Sequence, residues 1–218
     1  MIKAGRVTVD GEPAHLGQKI DPNQAQVEVD KVPLPVRPGL VYALLNKPPD
    51  VVSTADDPQG RTTVVDLVPL GTRIYPVGRL DVESEGLIIL TNDGELTEFV
   101  THPRHGVTKT YLAMVNGDPP ERAMRRLRDG VELDDGPAAA RSARVIDRHG
   151  DRSLVEIVMA EGRKREVRRM LDEVGHPVIR LVRTAIGPIS DRSIKPGEWR
   201  HLTIEEVREI YRAGDSDE

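Results

Sequence analysis

Residues 78–94 constrain the fold most, because they join a polar loop to an unbroken apolar run. The run, residues 87–90, has no polar position, which predicts a strand that is buried on both faces of a sheet. Asn92-Asp93-Gly94 follows it and predicts either a tight turn or the cap of a helix. The loop before the run places Asp81 two residues after Arg79. Taken alone, this spacing is most simply a surface ion pair, but a loop held between ordered elements also suits a catalytic carboxylate.

The composition allows one large domain, or one domain with a small appendage, in 218 residues. The absence of cysteine excludes disulfides and thiolate catalysis and is typical of a cytoplasmic protein. No apolar run reaches the length of a membrane span. The net charge of −5 is weak evidence against a nucleic-acid-binding protein. It is weak because only the docking face must be positive, and basic residues cluster in 122–128, 163–169 and 180–183.

The order of the periodic segments predicts an α+β fold with a mixed, mostly antiparallel sheet and flanking helices. Strand patterns outnumber helix patterns and do not alternate with them regularly. The predicted strands are residues 40–45, 87–90, 107–115, 143–146, 153–159 and 178–183, with a short element at 62–68. The predicted helices are residues 120–128, 164–174 and 204–211, besides the one that Asp93 would cap. We assign residues 37–218 to one catalytic domain.

The amino-terminal segment, residues 1–36, differs from this domain. Residues 6–12 and 26–29 predict two short strands, which bury too little to fold alone, and residues 32–38 predict an extended linker. Residues 4–11 resemble the second half of an S4 RNA-binding module, in which two helices would precede them. A hairpin that packs on the main domain explains the same pattern equally well.

Three motifs, in order along the chain, resemble those of pseudouridine synthases that modify ribosomal RNA, the RsuA/RluB-like enzymes. The first is Gly78-Arg79-Leu80-Asp81 with Glu85-Gly86-Leu87 and Thr91-Asn92-Asp93-Gly94. The second is Lys109-Thr110-Tyr111-Leu112-Ala113, and the third spans residues 161–170. The resemblance covers residues 40–202 and implies a pseudouridine synthase fold.

The resemblance implies an isomerase that needs no cofactor or metal and assigns three catalytic residues. Pseudouridine forms when the N1–C1′ bond of uridine breaks, the base rotates, and the base rejoins the ribose through C5. Asp81 would act as the nucleophile at C1′ or as the base at C2′, and the sequence favours neither route. Tyr111 would pack on the flipped uracil and remove the C5 proton, although a core tyrosine is the ordinary explanation in a strand.

Arg168 is the third predicted catalytic residue. Val167, Met170, Leu171 and Val174 form an apolar stripe on the predicted helix 164–174. Arg168 lies beside this stripe, so its side chain can reach a buried partner. A charge run alone would indicate a solvated basic face, but the resemblance places this arginine against the catalytic aspartate, which must be ionised.

The remaining basic residues of the motifs are predicted to bind RNA. They are Arg79, Lys109, Arg163, Lys164, Arg165 and Arg169. We expect a cytoplasmic monomer that acts on ribosomal RNA, free or in a pre-ribosomal particle. Residues 165–169 resemble the RluB type, which modifies large-subunit 23S RNA, more than the small-subunit type. The alternatives are an inactive RNA-binding or ribosome-assembly factor and a hydrolytic N-glycosidase with Glu83 or Glu85 as a second acid.

Overall fold

The computed structural model describes residues 1–22 and 24–214, which form strands and helices in an irregular order. Two 3-10 turns, Ile2–Ala4 and Pro103–His105, accompany the regular elements. The strands are β1 (Val7–Val9), β2 (Glu12–Pro13), β3 (Val27–Val29), β4 (Val32–Pro33), β5 (Tyr42–Lys47), β6 (Tyr75–Pro76), β7 (Glu85–Thr91), β8 (Lys109–Asn116), β9 (Val131–Leu133), β10 (Gly136–Ala138), β11 (Ser142–His149), β12 (Arg152–Met159), β13 (Val178–Ile186), β14 (Ile189–Ser190) and β15 (Trp199–His201). The helices are α1 (Gly94–Thr101), α2 (Glu121–Asp129), α3 (Glu166–Glu173) and α4 (Ile204–Gly214).

The main sheet is mixed and mostly antiparallel, which confirms the predicted fold class. Its order is β11-β12-β8-β13-β7-β5-β15, with β14 on β13 and β6 beside β7. Among the described strands, only β7 and β13 pair in parallel. They come so close that a Cβ built on Gly86 would lie 2.2 Å from the carbonyl oxygen of Arg183. Gly86 also has a φ of +106°, so this position of the strand requires glycine.

Strand β7 is buried on both faces of the sheet, as the apolar run predicted. Ile88 and Leu90 belong to the hydrophobic core on one face, whereas Leu87 and Ile89 belong to the core on the other. Since successive side chains of a strand point to opposite faces, a run without polar residues satisfies both cores. This strand therefore holds the end of the polar loop, residues 78–84, in a fixed position.

The helices cover the two faces of the sheet. Buried side chains of α2 and α3 belong to one core, and those of α1 and α4 belong to the other. Each helix buries one stripe, which for α3 is the predicted Val167, Met170 and Leu171. The core under α2 and α3 also contains Leu80 and Tyr111. The candidate active site therefore lies on this face.

Asp93 caps a helix, which decides between the two structures predicted for residues 92–94. Its side chain accepts hydrogen bonds from the backbone N–H groups of Glu95 and Leu96 at the start of α1, at 3.0 and 3.2 Å. It also accepts a hydrogen bond from the Tyr42 hydroxyl at 2.7 Å, which ties α1 to β5.

Several predicted boundaries were wrong. Strand β5 is displaced from residues 40–45 and extends through Lys47, because Asn46 and Lys47 still pair with β7. Helix α3 starts at Glu166 rather than 164, because Arg165 has a left-handed φ of 52°. Residues 62–68 form turns with one isolated bridge, between Thr63 and Val52. Strands β6, β9, β10 and β15 were not predicted, since each has only two or three residues.

The amino-terminal segment forms a second sheet with the order β2-β1-β3-β4. Two strands were predicted here, and the described residues form four short ones. Residues 32–38 are not wholly a linker, because Val32 pairs with Val29 and belongs to the core under α1 and α4. The division at residue 36 and the S4 resemblance remain predictions. Among the described residues, no helix is long and apolar enough to cross a membrane.

Candidate active site

The loop that carries Asp81 is held in place on both sides of the aspartate. The hydroxyl of Ser53 donates to the carbonyl oxygen of Leu80 at 2.9 Å and accepts from the backbone N–H of Leu80 at 3.1 Å. The carbonyl oxygen of Val82 accepts from the backbone N–H of Asp50 at 2.9 Å. The carbonyl oxygen of Asp81 itself accepts from the N–H of Ser84 at 3.0 Å. These bonds fix the backbone from which the carboxylate projects, as a catalytic group requires.

Lys47 supports the same loop from inside the protein. Its side chain is completely buried, and its ammonium donates to the carbonyl oxygens of Pro48 at 2.8 Å and Val82 at 3.1 Å. Burial lowers the pKa of Lys47 to about 8, although the carboxylates of Glu85, Asp50 and Asp81 raise it. Lys47 was not among the residues predicted to form the site. The signal available was a lysine at the end of a buried strand, directly before Pro48-Pro49.

Asp81 and Tyr111 line the same cleft, which has a volume of about 190 Å³. Tyr111 projects from β8, where it pairs with Ile157 and Arg183, and its side chain is buried. Its hydroxyl forms no hydrogen bond with any described residue, so it can bond to a ligand. Asp81 is half-buried, and Leu80 beneath it belongs to the core. The cleft therefore combines a flat aromatic surface with a carboxylate on a fixed loop.

Arg168 reaches this loop from α3, but its direct ion pair is with Glu83. Its Nε lies 3.6 Å from Oε1 of Glu83, and its Nη2 donates to the Ser84 hydroxyl at 3.3 Å. Among the described residues, Asp81 forms no ion pair. Burial lowers the pKa of Arg168, whereas the nearby carboxylates of Glu83 and Asp81 raise it. Arg168 is thus within electrostatic reach of Asp81 without contacting it directly.

Arg165 also engages Glu83 and connects the loop before α3 to the loop of Asp81. The hydrogen bond from Arg165 lowers the pKa of Glu83, so that carboxylate is ionised at neutral pH. Glu85 accepts two hydrogen bonds of 2.7 Å from the guanidinium of Arg180, and these bonds lower the pKa of Glu85 as well. Neither glutamate has the raised pKa of a general acid, which disfavours the predicted hydrolytic alternative.

Arg163 and Arg169 are occupied by protein groups. Arg163 donates to the carboxylates of Glu166 at 2.9 Å and Asp135 at 3.0 Å and to the carbonyl of Pro137 at 2.7 Å. Arg169 forms a bidentate pair with Asp135 at 2.8 and 2.9 Å. Asp135 lies in the turn between β9 and β10, so Arg163 fastens the cleft loop, residues 160–165, to that hairpin, and Arg169 fastens α3 to it. The sequence had only a generic turn signal at Asp134-Asp135-Gly136.

Glu166 is a buried carboxylate that also lines the cleft. It accepts hydrogen bonds from the backbone N–H and the side chain of Arg163 at 3.0 and 2.9 Å. Burial raises the pKa of Glu166, and the neighbouring Glu161 raises it further, whereas the bonds from Arg163 oppose the shift. Arg163 therefore partly offsets the cost of burying the Glu166 carboxylate.

Lys109 does not reach the cleft. Its ammonium donates to the carbonyl oxygens of Val100, in the last turn of α1, and Val107, both at 2.8 Å. Burial, together with the positive charge of Arg183, lowers the pKa of Lys109 to about 8. This geometry gives Lys109 a structural role at the end of α1, and the RNA contact expected of Lys109 stays a prediction.

Arg79 and Lys164 are the predicted RNA-binding residues whose charges remain available. Both are exposed and line the cleft, and neither forms an ion pair with a described residue. They also line an adjoining groove of about 570 Å³ that runs along the loop from Val52 to Arg61. Among the described residues, no group of three or more histidine, aspartate or glutamate side chains is arranged to hold a metal ion.

Comparisons with known proteins point to one family. Residues 41–173 match the family model described as RNA pseudouridylate synthase. The chain is 46% identical over 217 residues to an uncharacterized RNA pseudouridine synthase of Mycobacterium leprae, covering 97% of this chain and 85% of the relative. It is 38% identical over 219 residues to the ribosomal large subunit pseudouridine synthase B of Bacillus subtilis, covering 99% and 89%. A crystal structure of a pseudouridylate synthase superposes with a TM-score of 0.70 at 29% identity, covering 96% and 90%.

Proposed function

The chain belongs to the RNA pseudouridine synthase family, and on this premise we propose that its cleft takes one uridine of ribosomal RNA and isomerises it to pseudouridine. Family membership confirms the resemblance predicted from the three motifs. The observation that carries the assignment to this cleft is that Asp81, on a loop fixed at Leu80 and Val82, faces the same space as Tyr111.

The reaction is balanced without any other reactant. The N1–C1′ bond of uridine breaks, the uracil rotates within the cleft, and a C5–C1′ bond forms. The proton leaves C5, and N1 ends the reaction carrying one, so the product has the mass of the substrate. Asp81 acts either by attacking C1′ or by removing the C2′ proton, and Tyr111 supplies the face for the base and the acceptor for the C5 proton.

Two cations lie within electrostatic reach of Asp81. Lys47 and Arg168 both interact with it electrostatically, one from below the loop and one from α3. Neither contacts it directly, so the carboxylate remains free to approach the ribose. We assign Arg168 and Lys47 as residues that fix the loop and place positive charge beside it, because Arg168 donates to Ser84 and Lys47 donates to Val82.

RNA would enter along Arg79 and Lys164. Because these cations have no described protein partner, they can neutralise phosphates without breaking an existing ion pair. Arg79 is next to the catalytic loop and can also stack its planar guanidinium on a base. Arg165 could join them only by leaving Glu83, and Arg163 and Arg169 only by leaving Asp135.

Large-subunit RNA is the proposed substrate. The relative from Bacillus subtilis is named for the large ribosomal subunit and matches nearly the whole chain. The proposal places the protein in the cytoplasm, as a monomer acting on 23S RNA or on a particle that contains it. A small-subunit target and an inactive assembly factor are the competing functions.

Incubating the purified protein with unmodified 23S and 16S transcripts tests these options together. We expect pseudouridine at one or a few positions of the 23S transcript, found by base-specific chemical mapping, with no release of free uracil. The matched control is Asp81→Asn, which keeps the shape of the side chain. Modification of 16S alone would reassign the substrate, uracil release would indicate a glycosidase, and no reaction on either RNA or on pre-ribosomal particles would favour the assembly factor.

A further inference from the structure

Helix α2 presents a row of arginines that the chemistry of the cleft does not use. Ala123, Met124 and Leu127 bury one side of the helix. Arg122, Arg125 and Arg126 lie on the exposed side, at the i, i+3 and i+4 spacing that places residues next to each other. They border a groove of about 550 Å³ between α2 and the residues after α3.

Two of these arginines have no ion pair among the described residues. Arg126 has a long contact, 3.6 Å, with Glu173, and Arg128 is bound to Glu121 and to the carbonyl of Ala143. Arg122 and Arg125 have no comparable partner, although Arg125 interacts with Glu121 electrostatically. Like charges at this spacing destabilise an isolated helix, so a phosphate beside Arg122 and Arg125 would relieve their mutual repulsion.

The groove lies at the far end of the helix that begins at the cleft. Helix α3 starts at Glu166, which lines the cleft, and the residues directly after it, Val174 and His176, line the groove. The eight residues of α3 span about 12 Å at ~1.5 Å per residue. That distance is about 3.5 times the ~3.4 Å axial rise per nucleotide of a base-paired strand, so it spans only a few nucleotides. A strand seated in the cleft can therefore reach α2.

We propose that Arg122 and Arg125 bind phosphates of the ribosomal RNA that flanks the target uridine. This inference rests on the proposed function, since it names where the substrate continues beyond the cleft. Charge complementarity selects RNA: the groove is bordered by three arginines, and its acidic member among the described lining residues is Asp129. The chain as a whole is acidic, at −5, so this local positive surface cannot be attributed to a general excess of basic residues.

The test compares two double variants by their affinity for RNA. Arg122→Ala/Arg125→Ala removes the proposed contacts, and Arg192→Ala/Lys195→Ala removes two exposed positive charges between β14 and β15. The probe is the unmodified 23S transcript, with dissociation constants measured over a salt series. We expect the slope of log K against log salt to become shallower by about 1.4 for the α2 variant, at ~0.7 per single-strand contact. The control variant should keep the wild-type slope.

Turnover distinguishes failure of this proposal from failure of the proposed function. At saturating 23S RNA the α2 variant should isomerise uridine at the wild-type rate, because α2 contributes no residue to the cleft. A wild-type slope for the α2 variant, or an equal change in both double variants, would overturn the proposed surface while leaving the catalytic assignment intact. A wild-type protein that binds 23S RNA without forming pseudouridine would instead overturn the function, and the slopes would still report on α2.

Discussion

The ammonium of Lys47 donates to the carbonyl oxygen of Val82, the residue that follows Asp81, over 3.1 Å. A cation with no exposed surface thus supports the loop that carries the proposed catalytic carboxylate. Such a group is costly to bury, because its positive charge loses hydration and its direct partners are neutral carbonyls. Burial of charged Lys47 therefore holds the loop in place but destabilises the fold, and the size of this destabilisation depends on pH.

Replacing Lys47 with methionine should expose that dependence. The pKa of Lys47 falls from 10.5 in the unfolded chain to about 8 in the fold, so between these values the unfolded state binds more protons. The contribution of Lys47 to stability is therefore present above pH 10.5 and is lost as the pH falls through 8. The free energy of unfolding of the wild type, relative to Lys47→Met, should rise by about 3 kcal/mol across this window.

Urea unfolding of both proteins at several pH values from 7 to 10.5 measures this difference. The comparison cancels the effect of Lys109, whose pKa is lowered in the same way in both proteins. A difference that does not change with pH would mean that Lys47 keeps the same pKa in the fold as in the unfolded chain, because its ammonium remains solvated. Turnover of Lys47→Met should fall at saturating RNA, because the loop loses its anchor at Val82.

Asp81→Asn should abolish isomerisation and leave folding and RNA affinity close to those of the wild type. The amide keeps the shape of the side chain, but it can neither attack C1′ nor remove a proton. Single-turnover formation of pseudouridine is the measurement, and Asp56→Asn, at an exposed position near the adjoining groove, is the matched control. Turnover of Asp81→Asn within about tenfold of the wild type, ~1.4 kcal/mol in barrier, would remove Asp81 from the mechanism.

Tyr111→Phe should separate the aromatic surface from proton transfer. The ring is buried and lines the cleft, so phenylalanine preserves the contact with the base. If the hydroxyl accepts the C5 proton, binding is retained, and the reaction stops after the glycosidic bond has broken. Release of tritium from RNA labelled at C5 of uridine follows this step directly. Release at the wild-type rate would restrict Tyr111 to packing.

Arg168 and Glu83 should be coupled energetically, since they form the direct ion pair that was expected between Arg168 and Asp81. Glu83 is 49% exposed and Arg168 is 11% exposed, so solvent screens the pair. A double-mutant cycle of Arg168→Met and Glu83→Gln should give about 1 kcal/mol of interaction in the free energy of unfolding. Additive effects would mean that the pair does not form in solution.

Activity should distinguish the two partners in that cycle. If the positive charge of Arg168 serves Asp81, Arg168→Met should reduce turnover far more than Glu83→Gln does. Removing Glu83 leaves the hydrogen bond from Arg168 to Ser84 available to hold the loop. Equal losses of turnover in the two variants would indicate that the ion pair acts only by fastening α3 to the loop.

The sequence indicated which residues gather at the site better than it indicated which groups they bond to. Asp81 and Tyr111, both predicted from the motifs, line one cleft, and Arg168 contacts the loop beside it. The unbroken apolar run predicted β7 correctly. The sequence did not indicate which arginines and lysines of the motifs lack an ion-pair partner within the described protein. Arg163 and Arg169 belong to the same basic run as Lys164, and they are occupied only because tertiary folding brings the turn at Asp135 against them. Ion pairs between distant segments leave no local pattern.

Lys109 shows the same limit within a strand. Lys109 stands two residues before Tyr111 in the same motif, and this position was the basis for the predicted RNA contact. Its ammonium instead bonds to the carbonyls of Val100 and Val107. The orphan carbonyls at the end of a helix attract a cation, and the position of that helix end depends on the packing of α1 rather than on the sequence near Lys109.

Neighbouring basic residues at the cleft should therefore respond differently to alanine. Lys164 is exposed and has no described ion-pair partner, so Lys164→Ala should leave the free energy of unfolding unchanged. It should make the salt dependence of RNA binding shallower by about 0.7, the value for one phosphate contact on a single strand. Arg163→Ala should instead destabilise the fold by about 3 kcal/mol, because it leaves the buried carboxylate of Glu166 without its cation.

Urea unfolding and RNA titration over a salt series, applied to both variants, test this contrast. The pKa of Glu166 is already raised by burial, so loss of Arg163 should raise it further. The destabilisation should then diminish as the pH is lowered, since protonation removes the unpaired charge. If Arg163→Ala changes the salt slope as much as Lys164→Ala and leaves stability intact at every pH, Arg163 binds RNA in solution, and its bonds to Glu166 and Asp135 do not hold the loop.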